Sequence, residues 1–297
     1  MTQPSLFVVK LGGALLDDAT ALACTLDSIY ALHTARPGSV IVVHGGGSSV
    51  DRHLVRLGMP TEKRDGIRLT PPDQMIEISA VLSGRVNATI VAELLARGSS
   101  AVGLSLADGF LTSAITTTRF SFNPGRVGEV VGGNPKIINT LLNAGFLPII
   151  SSVAVDAGGD LLNVNADDAA AAIARIIGAT RLIFLTDVCG ILDQDGALIS
   201  KITAAEVANL IEQGVIHGGM IPKVNNALAT ATETGIGVVI AGWRDENILA
   251  RLADGETLGS TILPPSLVLP PSLILPPSLV LPPSLASAHT TQSARTR

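Results

Sequence analysis

Short apolar runs alternate with longer amphipathic stretches from the start of the chain to Leu263. Runs of strand length fall at 6–11, 40–43, 101–104, 147–151, 182–186 and 237–240. Helical spacing of apolar positions marks 19–34, 48–57, 72–96, 135–144, 167–177, 204–212, 222–234 and 246–252. Apolar runs without polar alternation suit strands buried on both faces, and amphipathic helices between them suit the layers that cover such a sheet. The pattern therefore predicts an α/β fold with a mainly parallel open sheet. A Thr- and Ile-rich stretch at 112–118 breaks the rhythm and reads as a hairpin strand lying over a site.

Local signals agree with these bounds. Pro72 and Pro135 stand where a first helical turn tolerates proline. Gly98, Gly145, Gly178, Gly214 and Gly235 follow helical patterns, as C-terminal caps do. Beyond Leu263 the chain changes character: Pro-Pro-Ser-Leu recurs, and eight of the 17 prolines lie there. Paired prolines every six residues exclude helix interiors and sheet ladders, so 264–297 reads as a polyproline-like or disordered extension.

Composition narrows the function classes. With 47% hydrophobic and 15% charged residues over 297 positions, a large core is available. A net charge of −5 and 3% aromatic residues argue against a nucleic-acid surface. Cys24 and Cys189 stand far apart in apolar surroundings and read as buried reduced thiols. No basic, apolar leader opens the chain and no uncharged run reaches membrane-spanning length, so a cytoplasmic location is expected.

The chemistry-bearing residues cluster at strand ends. Lys10 ends an apolar strand and runs into Gly12 and Gly13; Lys223 follows Gly218 and Gly219 at the start of a helix. His44-Gly45-Gly46-Gly47 lies between a strand and a helix, where three glycines can present backbone N–H groups and the helix adds positive potential. His44 itself reads as structural. Two lysines and two glycine loops match the needs of phosphoryl transfer, which depends on positioning and charge neutralisation. Neither a Walker-type loop nor G-x-G-x-x-G is present. Asn163, Asn165, Asp167 and Asp168 precede an alanine-rich helix; capping accounts for one or two of them and a binding site for the rest. Arg68, ahead of a long helix, suits a carboxylate, although an isolated arginine is as readily a surface residue. Asp187, Val188, Cys189, Gly190, Ile191 and Leu192 form a strand-end loop of the kind that lines nucleotides.

In this order, Lys-Leu-Gly-Gly (10–13), His-Gly-Gly-Gly (44–47), Gly-Ile-Arg-Leu-Thr (66–70), Asn-Val-Asn-Ala-Asp (163–167), Thr-Asp-Val-Cys-Gly-Ile-Leu-Asp (186–193) and Gly-Gly-Met-Ile-Pro-Lys-Val (218–224) resemble the amino-acid kinase family, in its acetylglutamate branch. The resemblance runs from about Phe7 to Leu263. It implies a three-layer αβα sandwich, with an N-terminal lobe (1–180) for the acid and for dimerisation and a C-terminal lobe (181–263) for ATP. It also implies transfer of the ATP γ-phosphoryl group, with Mg²⁺, to the side-chain carboxylate of N-acetyl-L-glutamate in arginine biosynthesis.

Carried onto this chain, Lys10 and Lys223 would neutralise the transferring group and Asp167 would hold both ammonium groups. Gly12, Gly13 and Gly46 would donate N–H groups. Gly46 and Gly47 would border the acid, Arg68 would pair with its α-carboxylate and Asn163 would hydrogen-bond to it, with Asn165 alongside. Asp187 to Leu192, with Val215, Ile216 and His217, would line the nucleotide. Mg²⁺ would rest largely on phosphate oxygens and water, with no protein metal cage. Arginine-inhibited members of the family resemble one another in an additional N-terminal helix that links dimers into hexamers. Nine residues precede Lys10, so an arginine-insensitive homodimer is expected. Kinases of related acids, N-acetyl-aminoadipate foremost, and a non-catalytic binding module on the same scaffold are the competing readings. No regulatory protein partner can be read from the chain.

Overall fold

The central sheet takes its order from apolar strands that bury both faces. The computed structural model describes residues 5–64 and 66–265. Across the sheet the strands run Lys201–Ile202, Ser260–Ile262, Val238–Gly242, Arg181–Thr186, Phe7–Leu11, Val40–His44, Leu147–Ser151 and Ala101–Ser105. All neighbours are parallel except Val238–Gly242 and Ser260–Ile262. Alternate residues feed two separate cores, with Val8 on one face and Phe7, Val9 and Leu11 on the other. Helices cover both faces, which makes the expected three-layer αβα sandwich.

The described chain up to Pro265 forms one compact unit. Strand Arg181–Thr186 pairs directly with Phe7–Leu11, so the sheet runs unbroken across the boundary expected at 180/181. The Pro-Pro-Ser-Leu repeats from Ser266 onward lie outside the described residues.

A second, four-stranded sheet joins Thr112–Thr116, Val127–Gly133, Leu161–Val164 and Val153–Val155. The hairpin expected near 112–118 is its antiparallel first pair, with a register shift at Ser113/Ala114. Helix Ala166–Ile177 touches both sheets and helix Met220–Thr234. Little space remains around it, and Ala169 to Ala174 are all buried, with Ile173 the one large side chain among them. The alanine run thus serves close approach on every side of a helix, rather than helix propensity alone.

One sequence expectation changes. The continuous helix over 72–96 is an α-helix Pro72–Ser79, a π-helical stretch Ala80–Val86 and an α-helix Asn87–Ala96. It has the length and mean hydropathy, 1.3, of a membrane span. Met75, Ile78, Leu82, Val86, Ile90 and Leu94 nevertheless pack into the core. The π turn changes which side chains face the sheet, and periodicity at 3.6 residues cannot register it.

Ala170→Leu should cost about 1–3 kcal/mol, because helix Ala166–Ile177 cannot move away from two sheets at once. Urea unfolding would measure it; an unchanged midpoint would mean that the helix is loosely held.

Candidate active site

In an open parallel sheet, ligands gather beyond the carboxyl ends of the strands. Lys10, His44, Ser151 and Thr186 all end strands there, in adjacent registers. Lys10 points to the same sheet face as Val8, toward the start of helix Ala166–Ile177. Its Nζ lies 2.7 Å from Asp167 Oδ1, with both side chains less than a fifth exposed. Phe184 places its ring centroid 5.3 Å from the same ammonium. Asn165 caps the helix by accepting the Asp167 N–H at 2.8 Å, so its side chain serves the backbone that carries Asp167.

Asp167 holds one ammonium, not two. Its other oxygen, Oδ2, accepts from Asn226 Nδ2 at 3.0 Å. Lys223, one turn earlier on the same helix, pairs instead with Asp187. That hydrogen bond, with another from the Thr186 hydroxyl, lowers the Asp187 carboxyl to about 2. The two lysines therefore sit on separate carboxylates.

Two cavities open from this point. The first, about 330 Å³, is lined by Lys10, Gly13, Gly45 to Gly47, Lys63, Arg68, Asn163 and Asp167 among others. Arg68 is only 9% exposed. Its Nη1 lies 2.5 Å from Asp51 Oδ1, and its Nη2 donates to the Gly47 carbonyl at 3.0 Å. Lys63 binds the other Asp51 oxygen at 2.8 Å. Burial would raise the Asp51 carboxyl, but the hydrogen bonds from Arg68 and Lys63 outweigh it and hold the group below its ordinary range. Asn163 donates to Thr70 Oγ1 at 3.1 Å, and the Thr70 hydroxyl donates to the Arg68 carbonyl. Arg68 and Asn163 are thereby linked through one threonine. Gly46 has φ 155°, and a Cβ there would lie 3.0 Å from Leu82.

The second cavity, about 510 Å³, is lined by Lys10, Gly12, Gly13, Asp18, Asp167, Asp187, Lys223, Asn226, Trp243 and Arg244 among others. Lys10, Gly13 and Asp167 border both cavities. Three cations, Lys10, Lys223 and Arg244, face three carboxylates, Asp18, Asp167 and Asp187, across the second one.

Other expected nucleotide residues stand apart from this lining. Gly190 and Ile191 pack against Ser260, whose hydroxyl accepts the Ile191 N–H at 2.7 Å. Ile216 is buried, and the His217 ring meets the Gly214 and Val215 carbonyls. Val188 and Leu192 are absent from the lining too. Cys189, expected to be buried, is exposed on its loop, and Cys24 is half-buried. Asn226, Trp243 and Arg244 carried signals that the sequence reading passed over. Asn226 lies three residues beyond Lys223 on one helix face, and Trp243-Arg244 follows a strand end.

Residues 5–242 match the amino acid kinase family. The chain belongs to that family. It is 46% identical over 257 residues to the acetylglutamate kinase of Edwardsiella ictaluri (strain 93-146), covering 86% of this chain and 98% of that protein. Among solved structures, smu.665 from Streptococcus mutans UA159 aligns at TM-score 0.68 and 29% identity, over 87% of this chain and 98% of that one. The Giardia lamblia carbamate kinase bound to AMP-PNP aligns at 0.61 and 16% identity, over 89% and 100%, a likeness of fold.

His44, which precedes the glycine loop, is fully buried, and burial lowers its imidazole from 6.5 to about 4. Between these values the unfolded chain binds a proton that the folded chain refuses, so stability falls as pH drops from about 6.5 to 4. His44 should account for roughly 3 kcal/mol of that fall. Denaturant unfolding of the parent and His44→Asn across this range would isolate the contribution, and parallel acid declines in the two proteins would refute it.

Proposed function

We infer that this family member is an acetylglutamate kinase, transferring the γ-phosphoryl group of ATP to the side-chain carboxylate of N-acetyl-L-glutamate. The product is the acyl phosphate, an intermediate of arginine biosynthesis. The observation that carries the reading is the meeting of two cavities at Lys10, Gly13 and Asp167. The substrate class follows from the 46% identical relative of that name.

The first cavity suits a small dicarboxylic amide. Lys10, Lys63 and Arg68 outnumber Asp167 in its lining, and Asp51 behind them offsets only one of these charges. Arg68 would take the α-carboxylate in a two-point hydrogen bond, and Asn163, tied to it through Thr70, would bind alongside. Gly46 and Gly47 would border the acid. An attacking carboxylate is already ionised at neutral pH, so the protein needs no general base. Its oxygen forms the new O–P bond as the bond from γ-phosphorus to the bridging oxygen breaks, and ADP leaves. Lys10 on the acceptor side and Lys223 on the nucleotide side would neutralise charge on the transferring group, with N–H groups of Gly12, Gly13 and Gly46 directed at its oxygens.

The second cavity has balanced side-chain charge, so a triphosphate entering it brings an uncompensated negative charge. Mg²⁺ fits that need by neutralising the phosphate oxygens. Among the described residues, no group of three or more His, Cys, Asp or Glu could hold a metal alone. The ion would therefore rest mainly on phosphate oxygens and water, with Asp187 the carboxylate beside Lys223. In this reading residues up to 180 bind the acid and 181–263 bind the nucleotide, although Lys10, Gly13 and Asp167 border both cavities. The reading extends to a homodimer in the cytoplasm; Val55 and Ile76, each about two-thirds exposed on adjoining helices, are candidate contacts.

ADP release should be selective for N-acetyl-L-glutamate over N-acetyl-L-aminoadipate, glutamate, aspartate and carbamate. Faster turnover of another acid would move the substrate assignment, and silence with all five would leave a binding module. Lys10→Ala and Lys223→Ala should each lower kcat about a hundredfold or more, with smaller changes in KM. Arg68→Lys should mainly raise KM for the acid, since a point charge cannot replace a planar two-point contact. Light scattering at twice the 30.4 kDa chain mass checks the dimer.

A further inference from the structure

His44 belongs to the glycine loop in sequence, yet its side chain enters neither cavity. It turns into the core beneath the loop, where its two ring nitrogens meet two groups. Nδ1 lies 2.9 Å from the Gly45 carbonyl oxygen, and Nε2 lies 2.9 Å from Asn87 Nδ2. Asn87 Nδ2 also faces the Ile149 carbonyl at 2.9 Å and, more distantly, the Leu104 carbonyl at 3.4 Å.

These contacts fix a proton. Carbonyl oxygens can only accept, so the atom facing Ile149 must be the amide nitrogen of Asn87. An amide nitrogen can only donate, so His44 Nε2 must accept. A neutral imidazole carries one proton, which is then on Nδ1 and is donated to the Gly45 carbonyl. Space for this arrangement comes from Gly103 on the edge strand, where a Cβ would lie 2.1 Å from Asn87 Oδ1. Asn87 follows directly on the π-helical stretch, whose Ser83 reaches the Ser151 hydroxyl at 2.7 Å. Ser151 is the register partner of His44.

In a trans peptide the carbonyl and the next N–H point in opposite directions. A Gly45 carbonyl held inward on the buried ring leaves the Gly46 N–H directed away from the core. Gly46 lines the first cavity beside Lys10 and Gly13. We propose that His44, held in its Nδ1–H tautomer by Asn87, is a positioning residue that locks the Gly45–Gly46 peptide so that the Gly46 N–H faces the transferring phosphoryl group. This rests on the phosphoryl-transfer reading above and adds a residue that acts through the loop without touching substrate.

The geometry supplies a paired test. An asparagine amide can occupy the place of imidazole Nδ1, whereas a glutamine amide occupies that of Nε2. His44→Asn keeps a donor for Gly45; His44→Gln keeps a partner for Asn87 and loses that donor. His44→Gln should lower kcat about tenfold to a hundredfold, with both KM values within threefold of the parent and the melting temperature matched to that of His44→Asn. His44→Asn should return kcat to within about fivefold of the parent. Equal losses in the two variants, or losses confined to KM or to melting temperature, would overturn the proposal. Long-range ¹⁵N–¹H correlation on the parent protein reads the tautomer without any assay. A proton on Nδ1 supports the lock, and a proton on Nε2 refutes it. A parent without turnover would sink the kinase reading, and the tautomer measurement would still decide this one.

Discussion

The pairing of Lys10 with Asp167 joins parts of the fold that no single element could bring together. One partner ends the central strand of the sheet; the other opens the alanine-rich helix packed between two sheets. Asn226 adds the helix that carries Lys223. Three elements distant in sequence thus converge on one carboxylate, and both cavities open from it. The pair is largely shielded from water, so its attraction is screened less than that of a surface pair. Loss of Asp167 would leave a half-buried ammonium free to turn away from the place where the cavities meet.

Charge is distributed unevenly around that junction. The first cavity keeps a positive excess even with Asp51 counted, a balance suited to a dianionic ligand. The second cavity is balanced. A polyphosphate gains little there from side-chain charge alone, and compensation has to come with it. The same cluster of lysines and aspartates would therefore receive an anion differently in each cavity, through where each carboxylate sits and not through the number of lysines.

Much of this was legible in the sequence because the chemistry lies at strand ends, where apolar runs meet glycine. Phe7 to Gly13 and Val40 to Gly47 each announce a buried strand and a loop able to approach an anion. The cap role of Asn165 could likewise be read from its place before an acidic helix start. Long-range choices were less legible. Which carboxylate takes which lysine depends on the spacing of helix Met220–Thr234 from helix Ala166–Ile177, and local pattern does not encode that spacing. The π turn at Ala80–Val86 was hidden for a related reason: one extra residue per turn leaves the hydrophobic content of the segment unchanged. Residues 187–192 read as a nucleotide loop, while the structure spends Gly190 and Ile191 on packing against Ser260.

The two lysine pairs also differ in how readily they can be exchanged. Lys223 and Asp187 are 38% and 63% exposed, and a pair so open to water is worth only about 0–1 kcal/mol. Replacing Asp187 by a phosphate oxygen therefore costs Lys223 little. Lys10 and Asp167 are 17% and 16% exposed, and Asp167 is further held by Asn226 and by the helix cap. The first lysine is a fixed reference point and the second an adjustable one. That division suits a reaction in which the acceptor must be aimed from a rigid strand end while the phosphoryl group moves toward it. The glycine loop is likewise fastened to the core from beneath, through a buried imidazole, while the Asp187 side chain stands open to solvent on its own loop.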